Sequence, residues 1–394
     1  MRVGIAGLGL AARQGVEAFK VNPGARLTAV ADVRTDALEE WRGRYGVETF
    51  TSVEAMCESP EVDAVWICTP NQLHSRHTIA AAGSGKHVIC EKPMAVTLDE
   101  AEAMVDAIDR NGVKYVQGHS KIYDPPIRKM REIAASGQLG RIIQINTWHW
   151  RGWMRSPRLP SEVDSRTGGG VAYRQGPHQM DIVRFIGGGL VRSMRAVTGR
   201  YHPTFETEGD YTAFLEFEDH TAATVVLNGY GYFDITELTW GIGEGGSIWA
   251  GRDSSRSVPV AMRPVTPEEK YGLAKYNEDR HQERAQQTDR FQPFLGLTLV
   301  SCERGDIRQS PHGVYIYDET GCNEVICEPD SDPAGELREL VDSVSENRPS
   351  FPDARWGMAT LEVVVGMMES SRQRQDIQLT RQVACPPIPA AALS

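Results

Sequence analysis

An arginine and a histidine stand four residues apart, at positions 174 and 178 of the stretch GGGVAYRQGPHQMD (168–181). On a continuous helix, residues at i and i+4 lie on one face, so this spacing predicts that Arg174 and His178 meet the same ligand. Arginine binds carboxylates through two parallel N–H donors, and histidine exchanges protons near neutral pH. The alternative is a solvated helix face, and the pair alone does not decide between them.

A lysine follows the apolar run KHVIC in the sequence Glu91-Lys92-Pro93, and TPN with His74 follows the run AVWIC. Both sets come at the carboxyl ends of predicted parallel strands, where ligands bind in open α/β sheets. Beside a cationic ligand and partly out of water, Lys92 is expected to have a lowered pKa, which suits proton exchange near neutral pH. The structural alternative is a Glu91–Lys92 ion pair that caps the sheet.

Short apolar runs alternate with helical patterns over the first 120 residues, and these elements must position the lysine. The runs span residues 2–9, 25–32, 64–70, 86–93 and 113–119. Their apolar residues are nearly continuous, which is typical of strands buried on both faces. The helix predicted after Thr97 opens with a capping box, because Glu100 follows three residues later. The alternation predicts a doubly wound parallel sheet.

The first strand leads into a G-x-G-x-x-A motif, GLGLAA (7–12). Its glycines permit a tight turn and the close approach of a pyrophosphate, and the helix that follows offers free N–H groups to phosphate. Asp32 ends the second strand 20 residues beyond Ala12, where an acid suits the ribose hydroxyls of NAD. Arg34 could bind the 2′-phosphate of NADP, but the negative charge of Asp32 would repel that phosphate. The sequence therefore favours NAD over NADP. The alternative is a tight turn in a sheet that binds no nucleotide.

The overall composition restricts the classes of partner. The chain has 394 residues, 40% hydrophobic and 24% charged, as expected for two globular domains. With 42 basic and 53 acidic residues the net charge is −11, which argues against nucleic acid or a membrane surface as partner. No apolar run approaches the roughly 18–20 residues of a membrane span.

Seven cysteines stand at positions 57, 68, 90, 302, 322, 327 and 385. None forms a C-x-x-C pair, so no metal site is predicted. An odd number of cysteines without a signal peptide predicts a reducing, cytoplasmic location.

The motifs together resemble those of the Gfo/Idh/MocA oxidoreductases. The similarity lies in GKHVICEKP with TPN…H before it, in GGG…G-x-H-x-x-D, in PPIRKMREIAASGQLGRI and in ELVDSVSENRPSFPDARWGMATLEVVVGMMESS. The resemblance implies an α/β Rossmann domain over residues 1–124 and an α+β domain with a large open mixed sheet over residues 125–394. It further implies that the second domain binds the substrate and joins the chains into a homodimer or homotetramer. Residues 251–292 are charged and poor in apolar residues, and we predict a polar insertion there.

The resemblance also implies hydride transfer between NAD(P) and a carbon that bears a hydroxyl or carbonyl group, often on sugars and inositols. It assigns Lys92 to the catalytic lysine, His178 to the active-site histidine, and Asn71 and His74 to cofactor contact. Whether Lys92 or His178 is the base stays open, because geometry decides this first. The predicted cofactor contacts are Gly7, Leu8, Gly9, Leu10, Ala11, Ala12, Asp32, Arg34, Thr69, Pro70, Asn71, His74, Glu91 and Lys92.

One position departs from the family pattern, which has an aspartate where this chain has Arg174. An arginine accepts no hydrogen bond from a sugar hydroxyl but binds a carboxylate well, so an anionic substrate is favoured. The preceding segment WHWRGWMRSPRLPSE (148–162) adds aromatic rings and arginines that suit a cyclic carboxylate, with core packing and solvation as the alternatives. The predicted substrate contacts are Arg174, Arg158, His119, Trp150 and Asp181.

Three segments further resemble phthalate dihydrodiol or dihydroxyphthalate dehydrogenases: RLPSE (158–162), GGGVAYRQGPHQMDIVRFI and LTLVSCERGDIRQSPHGVYIYD (297–318). This implies an NAD-dependent step of phthalate degradation, in which phthalate cis-4,5-dihydrodiol is oxidised to 4,5-dihydroxyphthalate. One alternative is a sugar, sugar-acid or inositol dehydrogenase of the same family. Another is a dinucleotide-binding sensor that does no chemistry.

Overall fold

The computed structural model describes residues 1–248, 264–267, 269–270, 291–328 and 334–388. The chain forms two compact units. Unit 1 comprises Met1–Ser120 and Asp332–Leu361, and unit 2 comprises Lys121–Ser331 and Glu362–Ser394. The return of Asp332–Leu361 to unit 1 was not indicated by the sequence pattern, which places the domain boundary at 124/125. Most of the predicted insertion, 251–292, lies outside the described residues.

Unit 1 is built on a parallel sheet. Its strands are β1 (Arg2–Ala6), β2 (Arg26–Ala31), β3 (Glu48–Phe50), β4 (Ala64–Ile67), β5 (His87–Glu91) and β6 (Tyr115–Gly118). Its helices are α1 (Leu10–Gly15), α2 (Ala18–Val21), α3 (Thr35–Tyr45), α4 (Val53–Glu58), α5 (His74–Gly83) and α6 (Leu98–Asn111). A short 3₁₀ turn spans Asn71–Leu73, and another, Ser120–Tyr123, starts at the last residue of this part of unit 1 and continues into unit 2.

The strands of unit 1 lie in the order β3-β2-β1-β4-β5-β6, and every pairing in this part of the described chain is parallel. This confirms the doubly wound sheet predicted from the apolar runs. Ile5 on β1 and Ile89 on β5 are fully buried, as continuous apolar strands require. The strand order reverses between β1 and β4, so the carboxyl ends of these strands flank the crevice where such sheets bind ligands.

Local signals set the ends of α6. The Thr97 hydroxyl accepts a hydrogen bond from the Glu100 N–H at 3.2 Å, and the Glu100 carboxylate accepts one from the Thr97 N–H at 3.0 Å. The helix ends at Gly112, whose φ of 63° is left-handed. The predicted capping box is therefore confirmed, and such a cap contributes about 1 kcal/mol.

Unit 2 contains a mixed sheet and several helices. Its strands are β7 (Ile142–Trp150), β8 (Val191–Gly199), β9 (Asp210–Phe217), β10 (Ala222–Asn228), β11 (Leu297–Cys302), β12 (Gly305–Ser310), β13 (Gly313–Asp318), β14 (Gly321–Ile326) and β15 (Ile377–Gln378). Its helices are α7 (Pro125–Ser136), α8 (Gly170–Arg174) and α9 (Gly176–Gly187). Further 3₁₀ turns span Trp153–Arg155, Pro160–Val163, Ser165–Thr167 and Ile235–Leu238.

Two later helices belong to the segment that returns to unit 1. Helix α10 (Gly335–Ser345) buries Leu337 and Leu340 in the core of unit 1, and α11 (Ala354–Gln373) begins in unit 1 and ends in unit 2. None of the helices within the described ranges is long and apolar enough to cross a membrane.

The sheet of unit 2 has the order β14-β13-β12-β11-β7-β10-β9-β8-β15 in the described part of the chain. Strands β7 and β10 pair in parallel and the other neighbours are antiparallel, so the predicted large mixed sheet is confirmed. Along β7, Thr147 and His149 are buried on the face that α9 contacts. Trp148 lies on the other face and is 40% exposed. The alternation of β7 therefore separates a helix-covered face from a more open one.

Candidate active site

The loop after β1 turns tightly against the end of β4. Gly7 has a φ of +87°, and a Cβ there would lie 2.8 Å from the Cys68 carbonyl oxygen and from the Thr69 nitrogen. Glycine is therefore required both by conformation and by space. A Cβ on Gly9 would meet no heavy atom within 4 Å, so the backbone at the start of α1 faces open space. This opening fits a pyrophosphate, which needs close approach to the backbone.

Asp32 closes this loop from the end of β2. Its Oδ2 accepts a hydrogen bond from the Leu8 N–H at 2.7 Å. Its Oδ1 accepts two hydrogen bonds from Arg34, one from the backbone N–H at 2.9 Å and one from Nε at 3.1 Å. Nη2 of Arg34 donates a further hydrogen bond to the Leu8 carbonyl oxygen at 3.1 Å. Arg34 is thus paired with Asp32 beside the glycine loop. The open glycine backbone and the acid at the strand end fit a dinucleotide with free ribose hydroxyls.

His74 connects the ends of β4 and β5. Its ring is 1% exposed, with Nε2 at 2.8 Å from the Thr69 carbonyl oxygen and Nδ1 at 2.8 Å from the Pro93 carbonyl oxygen. The Thr69 hydroxyl lies 3.0 Å from Nδ1 of His77. These contacts hold the TPN turn and the segment that carries Lys92 together. His74 was predicted to contact the cofactor, and its geometry is that of a residue that positions both loops.

Lys92 follows directly after β5, half-buried, with a cis peptide bond to Pro93. The neighbouring Glu91 accepts a hydrogen bond from Trp66 Nε1 at 3.4 Å. Burial raises the pKa of Glu91, and the charge of Lys92 opposes that rise. On β6, Gln117 donates to the Cys90 carbonyl oxygen at 2.9 Å and braces the end of β5. An amine at the carboxyl end of a parallel strand can exchange a proton with a ligand in the crevice.

In unit 2 the helix expected to present Arg174 and His178 together is interrupted. Arg174 is the last residue of α8, Gln175 follows, and α9 begins at Gly176. Pro177 lacks the N–H that would bond to the carbonyl of Tyr173, so one continuous helix is disfavoured here. The expectation of a shared face on one helix is therefore wrong. The two residues stand at the end of one helix and in the first turn of the next.

Arg174 belongs to a group of charged residues that we call the Glu162 cluster: Arg158, Glu162, Arg174 and Lys270. Arg174 Nη2 lies 3.1 Å from Glu162 Oε1, and Lys270 Nζ contacts Glu162 Oε2. The Glu162 side chain is 7% exposed, against 33% for Arg174 and 23% for Lys270. The carboxylate therefore lies beneath two cations that solvent can reach.

Arg158 completes the cluster from the aromatic segment. Its Nε and Nη2 donate to the Trp153 carbonyl oxygen at 3.1 and 3.0 Å, and its guanidinium carbon lies 3.7 Å from the centre of the Trp153 ring. Burial lowers the pKa of Arg158 to about 9, while the charge of Glu162 opposes this, so the guanidinium is charged at neutral pH. The structure thus brings Arg158 and Arg174 to one carboxylate.

The other three predicted substrate residues lie on or next to separate elements of the fold. His119 follows β6 in unit 1 and is buried. Trp150 ends β7 and, by the alternation of the strand, shares the more open face with Trp148. Asp181 on α9 is buried, and its charge acts on the Cys385 thiol of the C-terminal segment.

Family models match both parts of the chain. Residues 1–119 match the oxidoreductase family with an NAD-binding Rossmann fold, GFO_IDH_MocA, and residues 127–248 match the GFO/IDH/MocA C-terminal domain. The chain belongs to the Gfo/Idh/MocA oxidoreductases. The resemblance found in the sequence is thereby confirmed, and with it the Rossmann domain that binds NAD in this family.

Similar proteins place this oxidoreductase among dehydrogenases. The 1-carboxy-3-chloro-3,4-dihydroxycyclohexa-1,5-diene dehydrogenase of Comamonas testosteroni is 29% identical over 98% of each chain. A solved structure from Bordetella bronchiseptica RB50, of a protein assigned as a dehydrogenase, is 34% identical with a TM-score of 0.85, over 96% of this chain and 99% of that one. The myo-inositol 2-dehydrogenase of Thermotoga maritima is 31% identical over 50% of this chain and 58% of its own.

The structure of this oxidoreductase also reveals charged residues that sequence reasoning missed. Glu162 and Lys270 were not singled out, although T-P-E-E at 266–269 is the spacing of a capping box and marks a helical turn within the insertion. A second charged group lies near the end of β7, where Arg151 contacts Glu244, and Nε2 of His149 lies 3.9 Å from the same carboxylate. Period-2 alternation could have placed His149 on the buried face.

Lys121 joins this second group, since its Nζ lies 3.4 Å from the Glu244 carbonyl oxygen and 3.6 Å from the Asp124 carboxylate. Burial lowers the pKa of His149 to about 4 and raises the pKa of Asp124 to about 6. At neutral pH His149 is therefore uncharged. Within the described residues, no three His, Cys, Asp or Glu side chains are grouped so that they could hold a metal ion.

Proposed function

We propose that this oxidoreductase is an NAD-dependent dehydrogenase that oxidises a hydroxyl-bearing cyclic carboxylate. The observation that carries the proposal is the Glu162 cluster, in which Arg174 replaces the family's aspartate and stands with Arg158 and Lys270 around one carboxylate. Sites that bind carboxylates gather such cations, whereas a neutral sugar needs hydrogen-bond acceptors that arginine lacks.

The name of the Comamonas testosteroni relative supports the same substrate class, because it describes a carboxylated cyclohexadiene with adjacent hydroxyls. The specific substrate that we propose is phthalate cis-4,5-dihydrodiol, with 4,5-dihydroxyphthalate as product. Arg174 and Arg158 bind the carboxylates in this proposal. A cyclohexadiene diol that loses two electrons and two protons becomes aromatic, which favours oxidation.

Residues of unit 1 hold the cofactor in the proposed mechanism. The Gly7–Gly9 loop receives the pyrophosphate, Asp32 receives the ribose hydroxyls, and the TPN turn and Lys92 lie at the adjoining strand ends. NAD, when bound, accepts the hydride from the hydroxyl-bearing carbon. Lys92 takes the hydroxyl proton, with His178 as the alternative base, and the ketone that results tautomerises to a catechol.

Three further features belong to the proposal. NAD is preferred over NADP, because Asp32 already neutralises Arg34 and would repel a 2′-phosphate. The location is the cytoplasm, which is consistent with seven free thiols. The protein forms a homodimer or homotetramer through the more open sheet face that carries Trp148.

The experiment that tests the proposed function is NAD reduction, followed by the near-ultraviolet absorbance of NADH. The panel contains cyclohexadiene-diol carboxylates, sugar acids and neutral sugars. Turnover confined to ring carboxylates supports the proposal. Turnover of neutral sugars would show that Arg174 does not select the substrate and would overturn it.

A second candidate function is a sugar, sugar-acid or inositol dehydrogenase, favoured by the similarity to the Thermotoga maritima inositol enzyme over half of the chain. The two functions give different products. A catechol absorbs in the near ultraviolet and an oxidised sugar does not, so the product spectrum separates them.

A further inference from the structure

A buried hydrogen-bond network joins the first turn of α9 to the sheet of unit 2. Gln179, the residue that follows His178, is completely buried. Tyr211 on β9 and Thr147 on β7 are at most 1% exposed, whereas His178 is half-buried. Glutamine is mostly found on protein surfaces, and its burial costs free energy unless its amide is paired. The partners of Gln179 therefore indicate what this side chain does for α9.

Both polar atoms of the Gln179 amide are paired. Oε1 accepts a hydrogen bond from the Tyr211 hydroxyl at 2.6 Å. Nε2 donates to Thr147 Oγ1 at 3.2 Å and to the Val226 carbonyl oxygen at 3.3 Å. A carbonyl oxygen only accepts, so this contact fixes which end of the amide carries the N–H groups. Burial raises the pKa of the Tyr211 phenol, so this residue remains a donor at neutral pH.

The three partners come from β7, β10 and β9, which lie side by side in the sheet of unit 2. Apolar packing of a helix on a sheet has no preferred direction, whereas hydrogen bonds weaken steeply away from their best geometry. Gln179 therefore fixes the rotation and the depth of α9, to which the buried Met180 and Ile182 add apolar contact. This anchor matters at the start of α9, because the break after Arg174 interrupts the helix that would otherwise fix its direction.

We propose that Gln179 is a positioning residue, which holds the His178 side chain in place through its hydrogen bonds to the sheet. The inference rests on the proposed function and deepens it, since His178 is one of the two candidate bases there. Successive residues of a helix point about 100° apart, so a Gln179 that is anchored in the sheet leaves His178 one defined direction. Without the anchor the first turn of α9 gains freedom, and a misplacement of about 1 Å can slow a reaction about a hundredfold.

The first test is a double-mutant cycle on kcat, with the full-length protein, NAD and a cyclohexadiene-diol carboxylate. Gln179→Met keeps an unbranched side chain of similar length without the amide, and we expect kcat to fall about tenfold or more while KM changes little. In a His178→Ala background the same substitution has no further effect, because Gln179 acts through His178. The matched control is Gln309→Met on β12, where the buried amide donates to the Pro293 carbonyl oxygen at 3.0 Å, and this variant leaves kcat unchanged.

The second test needs no turnover. In protein labelled with carbon-13 at the histidine Cε1 atoms, the NMR signal of His178 is identified by its absence in His178→Ala. Gln179→Met is expected to shift or split this signal, and so is Thr147→Val, which removes the hydroxyl at nearly constant shape and also serves if Gln179→Met does not fold. Thr147→Ser keeps the hydroxyl and retains the wild-type signal. The signal of His77 in unit 1 stays unchanged in all these variants.

Two results would overturn the inference. One is an equal effect of Gln179→Met on kcat with and without His178, and the other is a His178 signal that neither Gln179→Met nor Thr147→Val moves. The proposed function fails separately. If ring carboxylates are oxidised but the His178 signal ignores Gln179, the function stands and the inference is wrong. If the network variants move the His178 signal but no ring carboxylate is oxidised, the positioning role stands and the proposed function is wrong.

Discussion

Arg174 Nη2 forms an ion pair with Glu162 Oε1 at 3.1 Å. The arginine that departs from the family pattern is therefore held by a carboxylate of the protein itself. Glu162 also accepts a hydrogen bond from the Leu159 N–H at 2.8 Å, which closes the turn at Pro160–Val163. The same carboxylate therefore shapes a turn and aligns a cation.

Glu162→Gln leaves the cations of the cluster without their counter-charge while keeping an acceptor for Leu159. We expect the free energy of unfolding to fall by about 3 kcal/mol, the usual cost when one partner of a buried ion pair is removed. Added phthalate should restore part of this loss, because an external anion can replace the missing charge. Denaturant unfolding with and without phthalate measures both effects.

Glu346→Gln is the matched control, since Glu346 pairs with Arg348 on the surface of unit 1 and is largely exposed. It should change stability by less than about 1 kcal/mol and respond no more to phthalate than wild type does. Equal phthalate stabilisation of all three proteins would contradict a role for the Glu162 cluster in anion binding.

Arg174→Gln removes the accessible guanidinium and leaves a shorter, uncharged polar side chain. We expect KM for a ring carboxylate to rise roughly tenfold to a hundredfold, in line with about 1.5–3 kcal/mol for a hydrogen bond to a charged group. KM for the corresponding neutral amide should change little. Steady-state kinetics on the two substrates measure the difference, and an equal change in both would remove Arg174 from carboxylate binding.

Lys92→Ala removes the proposed base at the end of β5. Turnover should fall about a hundredfold or more, the usual contribution of a positioned acid–base group, while NADH affinity changes little. Fluorescence titration with NADH and steady-state rates test the two parts. A larger loss in His178→Ala would assign the base to His178, and NADH binding without turnover of any substrate would favour the sensor alternative.

Asp32→Asn removes the charge that repels a 2′-phosphate but keeps an oxygen that can accept from Leu8. Arg34 then loses its carboxylate partner and becomes able to face a phosphate. We expect the ratio of kcat/KM for NADP to that for NAD to rise about tenfold, one closely placed charge having changed. Asp36→Asn on α3 is the control, and an unchanged ratio in Asp32→Asn would exclude Asp32 from cofactor choice.

Asp124 makes stability depend on pH. Burial raises its pKa from 3.8 to about 6, partly opposed by Lys121, so the folded state binds a proton between about pH 4 and 6 that the unfolded state has lost. Its contribution to stability is therefore present at low pH and lost as pH rises through this window, by up to about 3 kcal/mol. Asp124→Asn should abolish that loss.

The pKa of His149 is lowered to about 4 by burial, which gives the opposite slope between about pH 6.5 and 4, since the unfolded chain takes up the proton first. The quantity to compare is therefore the stability of Asp124→Asn minus that of wild type across pH 4–7. A difference that does not vary with pH would contradict a buried, titrating Asp124.

Structural features that depend only on residues close together in the sequence were predicted correctly. The apolar runs of unit 1 are strands, the Thr97–Glu100 capping box starts α6, and the glycine loop follows β1. Each depends on side-chain periodicity or on a local hydrogen bond, which the sequence displays directly. The helix break at Pro177 belongs to the same class, because proline lacks the N–H that a continuous helix needs.

The amino-acid sequence is enough to assign the family, the doubly wound sheet and the arginine that stands where the family has an aspartate. The surroundings of that arginine depend on how the chain folds. Lys270 reaches Glu162 across 108 residues of chain, and the sheet strands β8, β9 and β10 lie between them in sequence. Such a pairing depends on how distant segments pack, and neither charge spacing nor periodicity encodes it.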